Sequence, residues 1–522
     1  MRVAWLLVVA TSGWLATGCG GDGRGDGDGD GDGGGGGSEA GLPGDDGALA
    51  SDGAPGGDGG GGPGPGPRGC TPIVRDQATV ATTPSDRFAW SDGDCQRRSA
   101  AFARTGGYLR QVTYPVGGQQ RVVTGTGSNG WNGWGYVVMH YGNTAATSRG
   151  ATPTLTDVLA GPHHAIYQEK LRLMAGGPVD VTIHWLLATG RSHPIFSITL
   201  DTMAAGADVV NADSRSPYGD LDWDGVGATG TGDDEVEGVG WGDKLMFRTT
   251  GTGSVTPQTP WRYDLPNEIP HVLEWSQRGN AEMGAVALLP WSLKVAGGDY
   301  GAGQLDACWN KTSANPGTGC RPAGQVMPQD WLWPYQLNQY ELPFVTTSRR
   351  LAWGSNFGMV GQRSVTAFGK TLSGWPRTSY AVSMVLGQHA PSAVDAELAM
   401  MAAAARARLT TTRGTVVTTG PGGVGRTDAV TWELPGYDPA YGVWTVRAAA
   451  GGGATVTLDA PVALTAPILR VLDFAGSAVV VKQGARTLVA GDDYFATVDS
   501  AGRAAWITLN GAVTGSVALT ID

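Results

Sequence analysis

The sequence predicts a mainly β protein: a large antiparallel β-sandwich, then one helix, then a small C-terminal β-sandwich. Three observations carry this. Glycine, threonine and tryptophan are frequent while lysine is rare. Many short runs alternate apolar with polar residues, the period of a half-buried strand. Long helical periods are almost absent. A body of about 450 residues also exceeds one ordinary hydrophobic core, so more than one domain is expected.

The chain opens Met1-Arg2, runs apolar from Val3 to Ala10, and passes through small residues to Leu15-Ala16-Thr17-Gly18-Cys19. A positive start, a short apolar run and a small-residue cleavage region predict a secretory signal over 1–18. The run is too short to span a bilayer as a helix. Residues 20–69 hold 25 glycines in 50 positions, and ten acids against Arg24 and Arg68 give them a net charge of −8. With almost nothing apolar to bury, residues 19–69 are expected to form a solvated tether that self-repulsion extends.

The large β-sandwich is expected over 70–409. Its clearest strands are His164–Met174, Val179–Leu187 and Pro194–Thr202, separated by short turns and therefore an antiparallel meander. Val181, Ile183, Trp185 and Leu187 share one face of the second strand, and Asp180, Thr182 and His184 the other. In the first, Gln168, Lys170 and Arg172 lie opposite Tyr167, Glu169, Leu171 and Leu173. One core face and one polar face follow, the polar one either solvated or lining a groove.

Pro391-Ser392 leads into Val394, Leu398, Met401, Ala405 and Leu409, spaced for one helical face, with Ser392 as cap. A linker at 410–413 is expected after it, and a separate small β-sandwich over 414–522.

Cys70, Cys95, Cys308 and Cys320 are an even set in a chain read as exported, and three pairings are possible. Short loops favour Cys70–Cys95 and Cys308–Cys320. Without a CxxC spacing or an adjacent histidine, zinc is a poor alternative. The whole chain carries −11, of which the tether holds most; residues 70–522 carry −4 once Arg2 is set aside. A nearly neutral body without a basic block does not fit nucleic-acid binding.

Leu15 to Cys19 resembles the lipobox of bacterial lipoproteins, with Ala16 where that family places leucine. The resemblance implies cleavage before Cys19, a lipid on that residue, and anchoring to a bacterial membrane, with the outer membrane or cell surface expected. Asp220-Leu221-Asp222-Trp223-Asp224-Gly225 resembles the start of D-x-D-x-D-G calcium loops. The twelfth position is Thr231, not glutamate, and Asp233, Asp234 and Glu235 follow. Asp220, Asp222, Asp224 and Asp233 are therefore candidate calcium ligands, since calcium takes six to eight oxygens.

The 19 tryptophans cluster in polar, glycine-rich surroundings. Trp131, Trp134, Trp331, Trp333 and Trp353 are candidates to line a sugar groove, where an indole offers an apolar face beside hydrogen-bonding groups; the bland alternative for each is sandwich core. No H-E-x-x-H, H-x-H or G-x-S-x-G occurs, which argues against zinc hydrolases and ordinary α/β-hydrolases.

The body is similar in composition, terminal helix and appended module to polysaccharide lyases and mutarotase-like sandwich proteins, which implies a supersandwich-like large domain. The segment from Lys482 to Tyr494, with Trp506–Asn510, also looks like C-terminal β-modules of bacterial extracellular enzymes. In a lyase, a base removes the proton alpha to a uronate carboxylate and a neighbouring group neutralises the charge. The resemblance then implies His184 or Tyr167 as base, and Arg172 or Asn143 on the carboxylate. A hydrolase would instead use two carboxyl groups, with Asp180, Asp201 and Glu169 among the candidates. Action on a polysaccharide, as a lyase, is the functional expectation; the alternative is non-catalytic binding of a cell-surface glycan, or adhesion.

Overall fold

The computed structural model describes residues 69–522 apart from 126–131, 142–143, 208, 211–212, 418–429, 433, 439 and most of 222–376, where only separate strands are described. Among the described residues the protein is β-rich with one α-helix, as its alternating runs predict.

Two nine-stranded antiparallel sheets dominate. The first is built from β1 (Val74–Val80), β2 (Thr83–Ser91), β3 (Arg97–Ala103), β4 (Leu109–Val116), β5 (Gln119–Thr124), β6 (Gly133–Tyr141) and β7 (Thr144–Thr147). Its order is β1-β2-β3-β4-β6, continued by Asp213–Asp220 and Arg350–Ser355, with β5 on β4 and β7 on β6. The second contains β8 (Thr154–Ala160), β9 (His164–Met174), β10 (Pro178–Ala188) and β11 (Ile195–Asp201). It continues from β11 through Arg377–Gln388, Ala281–Ala287, Glu268–Ser276 and Gly238–Lys244 to Thr249–Gly251. The expected meander is β9-β10-β11, and its register pairs His184 with Gln168 on one side and Ser197 on the other.

The inner faces of the sheets interdigitate through large aromatics, which bury the most apolar area per residue. Phe102 lies 5.0 Å from Trp185 and 5.3 Å from Tyr167, and Trp134 lies 6.2 Å from both Trp185 and Phe196, ring centre to ring centre. Val181, Ile183, Trp185 and Leu187 all join this core, as their alternation predicts.

Helix α1 (Ala393–Arg406) starts where its cap predicts, with the Asp395 amide donating to Ser392 Oγ at 3.1 Å. Glu282 reinforces it from the sheet below. Its Oε1 accepts from the Val394 amide at 2.8 Å and the Ser392 hydroxyl at 2.7 Å, placing a carboxylate at the positive end of the helix. Val394, Leu398, Met401 and Ala405 form the buried face.

The chain does not pass from α1 into a linker. Arg408–Arg413 is a strand paired with Ala454–Thr465, because its backbone groups find a partner edge there. That strand opens a five-stranded sheet, continued by Ala512–Ile521, Val481–Gln483 and Arg486–Thr487. A second sheet runs Thr415–Val416, Val443–Arg447, Ile468–Leu472, Ala504–Leu509 and Tyr494–Asp499, with Tyr437–Asp438 beside Val443–Arg447. Its Val443–Arg447 and Ile468–Leu472 pair is parallel. Residues 67–522 fall in one compact unit. Cys70 and Cys95 form a disulfide; Cys19, Cys308 and Cys320 lie outside the described residues.

Candidate functional site

The outer face of β9-β10-β11 changes character along the strands. At one end Ile166, Leu186 and Ile195 stand in a row. Next come Gln168, His184 and Ser197, then Lys170, Thr182 and Thr199, and last Arg172, Asp180 and Asp201. The apolar end is covered. Leu159, Ile166, Leu186, Ala188 and Ile195 form a second hydrophobic core with Val443, Ile468, Ala504 and Trp506 of the C-terminal sheet. The charged end is open to solvent, and the polar row containing His184 lies at the boundary between them. The polar face expected from alternation is therefore polar over only part of its length.

Packing of distant segments brings a cluster together at this boundary. His184 Nδ1 lies 2.8 Å from Tyr441 Oη, and the two rings stack with centroids 5.7 Å apart. Gln168 donates through Nε2 to His184 Nε2 at 2.6 Å. That ring nitrogen then accepts, so Nδ1 carries the proton and donates to Tyr441 Oη. Burial, then the nearby Lys170 charge, lowers the His184 pKa to about 4, so the imidazole is neutral near pH 7. Burial pushes the Tyr441 phenol up. Behind it, the Arg470 guanidinium sits 4.9 Å over the Trp506 ring and 6.0 Å from that of Tyr441, and lies 3.5 Å from Asp438 Oδ2. About a quarter of the Arg470 side chain remains exposed (26%), and Lys170 is exposed on β9, near enough to His184 to bear on its charge.

The described residues predicted for catalysis do not meet here. Tyr167 points to the opposite face of the sheet, fully buried in the core, and donates to Asp86 Oδ2 at 2.8 Å. Adjacent side chains on a strand alternate faces, so a tyrosine registered with Trp185 cannot reach the face of His184. Arg172 stands four residues along the strand from Gln168, roughly 13 Å away, in a two-pronged ion pair with Asp180 at 2.6 and 2.7 Å. That pair holds the Asp180 carboxyl below its ordinary range, which unsuits it as the protonated acid of a hydrolase. Asn143 lies outside the described residues.

Trp134, predicted to contact sugar, is instead core at 1% exposure, because the bulge around Gly135 turns it in against Trp185. Trp131, Trp331 and Trp333 lie outside the described residues, and only the strand of Trp353 is described, not its side chain. The same holds for the calcium loop: Asp220 ends the strand Asp213–Asp220, and Asp222, Asp224 and Asp233 lie outside the described residues.

Tyr441 and Arg470 were not legible as site residues. Tyr441 is 257 residues from His184, and no local pattern links a turn in one sheet to a strand in another. The available signal was the continuous apolar run Trp185-Leu186-Leu187-Ala188, which marks a strand end buried on both faces.

No family model matches the chain, and no curated protein does. Among solved structures it is similar to the GalM/aldose epimerase homologue from C. elegans, at 12% identity and a TM-score of 0.23, over 40% of this chain and 83% of that one. It is also similar to a galactose mutarotase-like protein from Clostridium acetobutylicum, at 6% identity and a TM-score of 0.30, over 61% of this chain and 99% of that one. At these values neither neighbour assigns a residue or an activity to this chain.

Proposed function

We propose that the chain is an exported protein, anchored through a lipid on Cys19 and the glycine/aspartate tether, whose body binds acidic carbohydrate at the cell surface. The observation that supports this reading is the partly exposed Arg470 guanidinium, held over Trp506 beside Tyr441, which contacts His184, while Lys170 is exposed on the His184 strand face. Asp438 engages one side of the guanidinium, and Lys170 adds a positive charge near His184. A uronate carboxylate or a sugar sulfate is the anion such an edge recognises, through charge-assisted hydrogen bonds. Because both nitrogens of His184 are engaged, binding without chemistry is preferred over proton abstraction.

A lyase is the second reading. It is favoured by the neutral imidazole in contact with a phenol: were Gln168 to leave Nε2, His184 would have a free base nitrogen. One experiment separates the two. The full chain is run through gels containing acidic or neutral polysaccharide, while the same polysaccharides in solution are followed for ultraviolet absorbance of an unsaturated uronate. Retardation by the acidic polymer alone, weakened by added salt and reduced about tenfold in affinity by Lys170→Gln, is the result expected of a charge-assisted contact. Rising absorbance would replace the binder by the lyase, and no retardation by any polymer would remove the carbohydrate reading.

Calcium on Asp220, Asp222, Asp224 and Asp233 belongs to the same proposal, as an ordering ion. A chelator is then expected to lower the melting temperature and added calcium to restore it; a melt that ignores both removes calcium.

A further inference from the structure

The join between the second large sheet and the C-terminal sheet is lined with histidine. His164 is fully buried, and both of its nitrogens meet hydroxyls of the C-terminal sheet: Nδ1 lies 3.1 Å from Thr497 Oγ1 and Nε2 2.9 Å from Thr508 Oγ1. The His163 amide donates to the same Thr497 Oγ1 at 3.1 Å. The His163 ring packs 5.3 Å from Phe495, with Nδ1 3.3 Å from Thr189 Oγ1. Trp506 flanks His164 with ring centres 6.3 Å apart. His184 makes the third contact, to Tyr441.

We propose that these histidines make the join acid-labile: protonation of His163 and His164 releases Tyr494–Asp499 and Ala504–Leu509 from β8 and β9 while the two large sheets stay packed. The geometry supports this because the described partners of His164 include no carboxylate. They are Thr497, Thr508 and Trp506 from the C-terminal sheet and His163 from the turn just before its strand, the last of these the one titratable group. His163 is faced by Thr189, Thr497 and Phe495. Around His184 stand Tyr441, Gln168 and the cation Lys170, with Arg470 and Asp438 paired behind Tyr441. A proton added to His164 is thus a buried charge without a counter-charge among the described residues, beside a second histidine.

Burial, then His163, lowers the His164 pKa to about 3, and burial lowers that of His163. A freed histidine returns to about 6.5. The sign is that of a depressed base: the join is fully stabilised above about pH 6.5 and weakens as pH falls toward the folded values. Each histidine freed on opening contributes about a tenfold change in the docking equilibrium per pH unit over that window.

The test is hydrogen exchange on the full chain between about pH 7.5 and about pH 4.5, corrected for the intrinsic rate and free of any carbohydrate, so it is independent of the binding reading. The reporter is the His163 amide, which Thr497 protects. Expected is a reversible loss of its protection as pH falls, with amides of the large-sheet core unchanged, and a shallower pH slope in His164→Gln. The proposal is overturned by an equal slope in wild type and His164→Gln, or by core and join opening together. Should the variant not fold, the imidazole carbon signals of the wild type decide. Rings that stay neutral until the join opens support the proposal, and rings that titrate near pH 6.5 with the join closed overturn it.

Discussion

Glu169 lies between the two large sheets, fully buried, with Oε1 accepting from Trp185 Nε1 at 3.2 Å. Gly107 makes room for it: a Cβ there would fall 2.1 Å from Glu169 Oε2. Burial holds the carboxyl well above its ordinary value of 4.5, so folding favours the neutral acid. For such a group, the contribution to stability is whole below the ordinary value and is lost as pH rises toward the folded value. Glu169→Gln keeps an acceptor for Trp185 and never ionises. Its urea midpoint is expected to match wild type near pH 4.5 and to exceed it near neutrality; parallel pH curves would show Glu169 to be indifferent. Trp134 and Tyr167 belong to the same core. Their residue types suit sugar contact and catalysis, but their place between sheets decides what they do.

At the level of elements, β9 and β10 serve two cores. Their inner faces close the large sandwich, while Ile166, Leu186 and Ala188 on the outer face close the join to the C-terminal sheet. Gly161, in the turn between β8 and β9, permits the close approach. A Cβ on it would lie 1.9 Å from Thr497 Cγ2, and this glycine's backbone is not in the left-handed region, so the constraint is space alone. Gly161→Ala is expected to cost about 1–3 kcal/mol by overpacking. In exchange measurements the loss should appear first at the His163 amide. Unchanged protection there would mean that the turn yields without moving the sheet. The Glu282 carboxylate at the start of α1 shows the same economy, since one sheet residue supplies the helix cap and also meets His389 Nδ1 at 2.7 Å.

For the whole molecule, the C-terminal sheets share hydrophobic cores with the large sandwich rather than standing off on a linker. A chain that shares its core is expected to unfold from 69 to 522 in fewer steps than two independent domains would, with acid separating the steps as the join opens. The Cys70–Cys95 disulfide ties the start of this unit to the turn after β2, across 25 residues. Replacing both cysteines by serine is expected to lower stability by about 2–4 kcal/mol in urea denaturation, equal to the effect of reducing the wild type. A reductant that destabilises the double variant as well would point to another disulfide.

The sequence by itself determined the β class, the meander β9-β10-β11 with its inner face and the capped helix, and it favoured the Cys70–Cys95 pairing among three. Each of these follows from contacts between residues near in sequence, or from a period that one strand or helix must obey. Tertiary structure alone decided which part of the outer face is covered, and so which polar residues converge. His184 was legible as a polar residue on a strand. Its partners Tyr441 and Arg470 were not, because the seam forms between segments more than 250 residues apart, and periodicity carries no information about which distant sheet a face will meet. The same gap explains Tyr167. Its alternation already placed it opposite His184, and only the packing of Phe88, Phe102 and Asp86 around it turned a candidate base into a core residue.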